Sequence, residues 1–87
     1  MKYFVYLLFS KNTNRGITYV GYTNNITKRL KLHNTSRGAK FTKGRIWHVI
    51  YKKTYYTKSE AMKNEYVLKK DIKKRLFLKN KYLNKIQ

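Results

Sequence analysis

The sequence predicts a small α/β protein of the α+β type. Its expected architecture is a three-stranded, mainly antiparallel sheet flanked by helices, in the order β-β-α-β-α-α. Three observations carry that expectation. Residues 3–9 are apolar in both alternating sets, as in a strand covered on both faces. Residues 17–23 and 46–51 are rich in β-branched and aromatic side chains. Helix-start signals stand at Asn24-Asn25 and at Thr57-Lys58-Ser59-Glu60. With 87 residues the chain is expected to make a single domain over 1–87, near the lower size limit for folding alone.

The elements follow in order. Tyr3/Val5/Leu7/Phe9 and Phe4/Tyr6/Leu8 form the two faces of a first strand. That stretch lacks a multiply charged start and a small-residue cleavage site, so it reads as a strand and not a signal peptide. A polar turn over residues 10–16 leads into a second strand at 17–23, which makes an antiparallel hairpin. Gly21 weakens that strand and points to a bulge or a close approach by a ligand. Asn24 or Asn25 caps a helix running to about His33, with Ile26 and Leu30 on one face and Arg29 and His33 at i,i+4. Residues 34–45 form a basic loop with two glycines, and 46–51 a third strand. From Thr57 a second helix carries Ala61, Leu68 and Ile72 on one face, with Glu65 on that same face. A basic amphipathic helix with Leu76, Phe77, Leu78, Tyr82, Leu83 and Ile86 closes the order.

Composition bounds the function. Lys and Arg number 22 against three acids, a formal charge of +19. Residues 1–50 hold 10 of the cations and no acid, so the excess runs along the whole chain. A compact body with that self-repulsion suits a polyanionic partner. Nucleic acid leads, because neutralising phosphates releases counterions. An anionic membrane surface comes second, and a merely basic or ribosome-associated protein third. No helix-length stretch has a clean lysine face opposite a Trp/Phe face, so no membrane partner is expected. No run of about 18 apolar residues is present, which excludes a transmembrane helix. The absence of cysteine excludes disulfides and thiolate zinc sites. A hydrophobic fraction of 41% argues against disorder. The many Lys and Asn residues also fit an AT-rich genome.

With three acids, each is informative. Glu60 serves the capping box. Asp71 lies among Lys69, Lys70, Lys73 and Lys74 and reads as a surface ion-pair partner. Glu65 falls on an apolar face, where an unpaired carboxylate is costly. It is either an ion-pair partner for an arginine such as Arg29 or a ligand for one hard divalent cation. A lone carboxylate favours a single-metal site over a two-metal clamp. Tyr6 and Tyr19 are core aromatics or site groups. Arg29 suits bidentate phosphate contact or a solvated helix face. His33 is a structural hydrogen-bonding residue or a proton-transfer group. His48, in the third strand, reads as structural. No Walker loop, nucleophilic Ser or Cys arrangement, or zinc-ligand spacing is present.

Taken in order, Phe4-Val5-Tyr6 and then Tyr19-Val20-Gly21 resemble the two-part signature of the GIY-YIG nuclease superfamily. Asn25-Ile26-Thr27-Lys28-Arg29-Leu30 follows where that family has its helix arginine. His33-Asn34, Gly38-Ala39-Lys40-Phe41-Thr42, and Ser59-Glu60-Ala61 through Glu65 to Lys70 resemble its small stand-alone, UPF0213-like branch. The resemblance spans roughly residues 3–75. Its first motif departs from Gly-Ile-Tyr, as is common in that branch, and the end of the chain after Lys74 is unlike the branch.

The resemblance implies a metal-dependent endonuclease that hydrolyses DNA phosphodiester bonds, of the kind used in structure-specific repair or recombination. The alternative is a non-catalytic nucleic-acid-binding module on the same fold. Tyr6 and Tyr19 would lie near the scissile phosphate and the attacking water. Arg29 would stabilise the phosphate, and Glu65 would bind one Mg²⁺ or Mn²⁺ ion. Gly21 would let the strand approach the site, and His33 matches a histidine usual in the branch. A tyrosine near pKa 10 is a poor base at neutral pH. Either the metal and cationic neighbours depress Tyr6, or it only orients a metal-activated water. Arg37, Lys40, Lys43 and Arg45 are expected to grip phosphates and Phe41 to stack on a base, unless the loop is merely solvated and mobile. RNA is open as a second substrate. Weak sequence specificity is expected, or targeting by a partner protein or by self-association. The expected location is the bacterial cytoplasm, or the interior of a host cell for a viral protein.

Overall fold

The computed structural model describes residues 1–11 and 16–86. It contains strands β1 (Tyr3–Lys11), β2 (Gly16–Thr23) and β3 (His48–Tyr55), and helices α1 (Ile26–Asn34), α2 (Lys58–Lys70) and α3 (Ile72–Ile86). A short 3₁₀ turn, Lys40–Thr42, interrupts the loop between α1 and β3. The order is the expected β-β-α-β-α-α. The sheet is antiparallel throughout, with strand order β2-β1-β3. The expected polar turn falls mainly on residues 12–15, outside the described residues.

Both faces of β1 are covered, as its doubly apolar pattern requires. Val5 and Leu7 pack with Val20 of β2 and with Ala61 and Leu68 of α2 on one face. Tyr6 and Leu8 pack with Trp47, Ile26 and Leu30 on the other. The central position of β1 follows directly: an apolar strand with two buried faces belongs in the middle of the sheet. Phe9 extends the first face toward α3, meeting the Tyr82 ring at 5.4 Å between centroids.

The third strand lies further along than expected. Trp47 is buried ahead of it, Ile46 is exposed, and the pairing runs on to Tyr55. Lys52 and Lys53 obscured this continuation. They belong to an outer strand, where exposed lysines are normal, and their ammonium groups lie over the Phe4 and Tyr55 rings at 5.7 and 5.6 Å. A register shift also breaks the strand period: Leu7 pairs with Tyr51, but Leu8 pairs with Val49. The extra residue, Ile50, lets Ile50 and Tyr51 both pack on the α2 side while Val49 packs opposite.

The helix caps follow the sequence signals. Asn25 Oδ1 accepts from the Lys28 N–H at 3.0 Å. Thr57 Oγ1 accepts from the Glu60 N–H at 3.1 Å and donates to Glu60 Oε1 at 3.0 Å. The second helix stops at Lys70, so Ile72 does not share the buried face of Ala61 and Leu68; it is 69% exposed. Asp71 causes the break. Its backbone leaves the helical region (φ −89°, ψ 81°), and its carboxylate accepts from the Lys74 N–H at 3.0 Å. Asp71 is therefore the cap of α3 and makes no ion pair among the described residues. Arg75 Nε then donates to the Leu68 carbonyl at 3.2 Å, covering the C-terminus of α2, and Lys79 Nζ donates to the Gly16 carbonyl at 2.9 Å.

Leu68 joins α2 to the sheet and is 5% exposed. Leu68→Ala is expected to cost about 2–5 kcal/mol, a large share of the stability of so small a core. Urea denaturation at neutral pH measures it.

Candidate active site

The strand order leaves one side of β2 open, and the register puts Gly21 of β2 opposite Tyr6 of β1. A Cβ at Gly21 would overlap the Tyr6 hydroxyl. No bulge occurs here, since the β1–β2 pairing is unbroken from Phe4 to Lys11. Glycine is required because the Tyr6 phenol from the central strand lies across this position. The absent side chain opens that phenol toward the free side of the sheet.

There it lines a cavity of about 620 Å³ together with Tyr19, Arg29, His33 and Glu65. The helices and strands supply these groups from several directions. Tyr6 and Tyr19 come from adjacent strands. Arg29 and His33 stand one turn apart on α1, and Glu65 reaches in from α2. Arg37 and Lys58 also line it, so three cations, Arg29, Arg37 and Lys58, share the cavity with one carboxylate.

Glu65 makes no ion pair with Arg29. Its nearest cation is Lys69 Nζ, at 3.8 Å on its own helix, and its side chain keeps 20% exposure toward the cavity. A carboxylate in this position retains oxygen lone pairs for a ligand. Among the described residues no cluster of three His, Cys, Asp or Glu side chains exists. The donor set therefore suits a hard ion that keeps most of its water, as Mg²⁺ does, and does not suit a fully protein-ligated metal.

His33 is 1% exposed and both its ring nitrogens are engaged. Nδ1 lies 2.9 Å from Thr42 Oγ1, and Nε2 lies 3.1 Å from the Tyr6 hydroxyl. Thr42 donates its single hydroxyl proton to the Ala39 carbonyl at 2.7 Å. Toward His33 it can only accept, so Nδ1 carries the hydrogen. In the neutral ring Nε2 is then the acceptor, and Tyr6 donates to it. Burial lowers the His33 pKa, and the nearby Arg29 charge lowers it further.

Tyr6 shifts the other way. Burial raises its pKa well above the ordinary phenol value; Arg29 opposes this, while Tyr19 and Glu65 add to it. The protein groups by themselves do not depress Tyr6; the expectation gives that role to a metal together with cationic neighbours. Arg29 acts in the expected direction, but desolvation outweighs it.

The basic loop is built and hydrogen-bonded. Its start is a Schellman turn: Ser36 takes a left-handed backbone (φ 61°), Ser36 N–H donates to the His33 carbonyl, and Arg37 N–H to that of Leu32 at 2.7 Å. Asn34 clamps the Trp47 backbone, accepting from its N–H at 2.7 Å and donating to its carbonyl at 3.2 Å. Trp47 Nε1 donates to the Thr42 carbonyl at 3.0 Å. Gly38 passes so close over the His33 ring that a Cβ would collide with it. Of the loop residues expected to contact nucleic acid, Arg37 lines the cavity. Phe41 stacks on Tyr19, with centroids 6.0 Å apart and planes 20° apart. Lys40, Lys43 and Arg45 do not line it. His48 is exposed and takes no part. From sequence, Thr42 is only the last residue of the motif over residues 38–42, without an expected role, and Lys58 is not expected at the site. Burial of Thr42 against an imidazole depends on tertiary packing.

The His33 shift has a consequence for stability. In the unfolded chain a histidine binds a proton near pH 6.5, whereas folded His33 does so only at lower pH. The unfolded state then holds more protons, so stability falls as pH drops through about 6.5. Thermal melts on the acid side of neutrality should show this loss, and His33→Gln should flatten it. Gly38→Ala should lower the melting temperature by displacing the ring.

Comparison with known proteins shows which family the chain is similar to. A protein-family model described as the GIY-YIG catalytic domain matches residues 2–82. A UPF0213 protein of Oceanobacillus iheyensis is 44% identical over 69 residues, covering 78% of this chain and 77% of the relative. A UPF0213 protein of Staphylococcus aureus is 41% identical over 68 residues, covering 77% of this chain and 79% of that one. The solution NMR structure of a UPF0213 protein from Bacillus halodurans superposes with a TM-score of 0.50 at 34% identity, over 88% of this chain and 83% of that one. No helix among the described residues is long and apolar enough to cross a membrane. The signature residues converge on one cavity and the family match runs through most of α3, so this chain belongs to the GIY-YIG nuclease family, in its UPF0213 branch.

Proposed function

We propose that this protein is a metal-dependent endonuclease that hydrolyses DNA phosphodiester bonds. One observation carries the reading: Tyr6, Tyr19, Arg29, His33 and Glu65, far apart in sequence, line a single cavity at the free side of β2. Such a set combines a proton acceptor, phosphate-binding charge and a ligand for a hard cation. A binding module would need only the charge.

In this reading the phosphate enters beside Arg29, whose guanidinium matches phosphate oxygens in a bidentate way. Negative charge grows on those oxygens as water attacks, and Arg29 and Arg37 stabilise it most when it is greatest. Glu65 would hold one Mg²⁺ or Mn²⁺ ion, which supplies further positive charge at the phosphate. Burial disfavours the Tyr6 anion. Tyr6 acts by relay: as its oxygen takes a proton from the attacking water, its own proton passes to His33 Nε2. The lowered pKa of His33 keeps that nitrogen free at neutral pH. Thr42 fixes the tautomer that makes Nε2 the acceptor. Tyr19, beside His33 with ring centroids 5.3 Å apart, walls the water position. Its relatives are bacterial; in a bacterium it would work in the cytoplasm, and as a viral protein inside the host cell.

Cleavage of labelled duplex, flap and branched DNA tests the reading, with Mg²⁺ or Mn²⁺ and with EDTA. Glu65→Ala should abolish cleavage while leaving most DNA affinity, since the lysines supply it. Arg29→Ala should reduce the rate by about 10²–10³-fold. The rate should fall on the acid side, below the ordinary histidine value of about 6.5, because protonated His33 cannot accept from Tyr6. Full activity in Tyr6→Phe would remove the relay. Binding without cutting on every substrate would leave a non-catalytic nucleic-acid module.

A further inference from the structure

A second cavity, of about 280 Å³, adjoins the first along the free side of β2. Thr18, Tyr19, Val20, Phe41, Lys69 and Arg75 line it. Two residues connect it to the candidate active site. Tyr19 lines both cavities, and Lys69 lines the second while its ammonium lies 3.8 Å from Glu65 in the first.

The lining has an unusual make-up. No acid contributes to it, and two cations do. Arg75 is held in place at Nε by the Leu68 carbonyl, and its guanidinium has no carboxylate partner among the described residues. The head group is thus aimed before any ligand arrives. Phe41 is 58% exposed, which is costly for a phenyl ring unless something covers it. Yet the ring is not loose. It stacks on Tyr19 and packs against Trp47 at 6.3 Å, and the next residue, Thr42, is fully buried. A rigid aromatic ring with an open face, beside two cations, is complementary to a nucleobase joined to a phosphate.

We infer that this cavity is a nucleotide subsite, in which Phe41 stacks on a base and Arg75 and Lys69 hold the adjoining phosphate. On the nuclease reading, the occupant is the nucleotide flanking the phosphate at Arg29. The strand would cross from one cavity to the next past Tyr19. A base inside a duplex has both faces covered by its neighbours, so the one stacked on Phe41 must be unpaired or terminal. This places a structural demand on the substrate beside the cleavage position, independent of base identity.

Binding measured without cleavage separates the inference from the nuclease reading. The full-length protein is titrated, in EDTA, into a short fluorescent oligothymidylate and into the same backbone made abasic throughout. Phe41→Ala should weaken binding to the base-bearing strand by about 5- to 100-fold and leave the abasic strand unaffected. Phe41→Trp should retain affinity. Arg75→Gln should weaken both strands equally and lower the magnitude of the salt slope by about 0.7. Lys69→Gln provides the same test should the Arg75 variant unfold, and thermal melts establish that each variant is folded. An oligouridylate losing the same factor with Phe41→Ala would support the subsite and extend it to RNA. A folded Phe41→Ala that binds both strands like the parent overturns the inference, even if Glu65-dependent cleavage is intact. Conversely, the expected Phe41 pattern without cleavage under any condition would sink the nuclease reading and leave the subsite standing.

Discussion

One buried imidazole holds this site together. His33 sits between the Tyr6 hydroxyl of the central strand and the Thr42 hydroxyl of the loop, and it belongs to α1. A buried polar ring with an unmet nitrogen would be expensive, so both partners are needed at once. That requirement fixes the loop over the ring, with Gly38 lying where a side chain would not fit. It fixes Trp47 too, because the Thr42 carbonyl receives the indole N–H. Through Trp47 it reaches Asn34 and the approach to β3. Core packing, loop shape and the orientation of the reactive groups are therefore coupled through one side chain.

The charge balance is equally unusual. With 22 basic side chains and three acids, the fold cannot neutralise itself by ion pairs. Lysines instead lie over aromatic rings: Lys74 over Tyr51 at 5.3 Å and Lys70 over Tyr66 at 5.0 Å, besides Lys52 and Lys53 on the sheet. These contacts shelter the stems and leave the ammonium groups in water. Two of the acids act locally, at the starts of α2 and α3. Of the three acids, only Glu65 lines the cavity beside Tyr6. That net charge suits a polyanionic partner, and the one carboxylate in the cavity stands there with arginine, tyrosine and histidine.

The fold was largely legible because its signals are local. A strand apolar on both faces, a cap at Asn25 and a capping box at Thr57 each depend on a few neighbouring residues. The departures arose where local pattern and tertiary packing conflict. Lys52-Lys53 looked like the end of a strand, but an outer strand tolerates lysine. Ile72 continued the apolar spacing of α2, yet Asp71 found a better use for its carboxylate as the cap of a new helix. Gly21 makes no bulge; it leaves room for the Tyr6 phenol and itself lines the cavity.

The site divides in the same way. Residue identity and order left Tyr6, Tyr19, Arg29, His33 and Glu65 open between structural and site roles; the family resemblance makes them candidates, and the fold brings them to one cavity. Spacing along the chain could not say whether Glu65 would pair with Arg29, since that distance is set by how α1 and α2 are placed around the sheet. Nor could it foresee that Arg75 and Phe41 would share a cavity, as they come from opposite sides of β2. The direction of the Tyr6 shift was also out of reach. A neighbouring charge can be guessed from sequence, but desolvation depends on how much protein surrounds the group, and here it prevails. The sequence by itself determined the elements, their caps and the chemical groups available. Tertiary structure decided which of those groups meet, which are dry and which remain open to a ligand, because these properties are set by packing between segments distant in the chain.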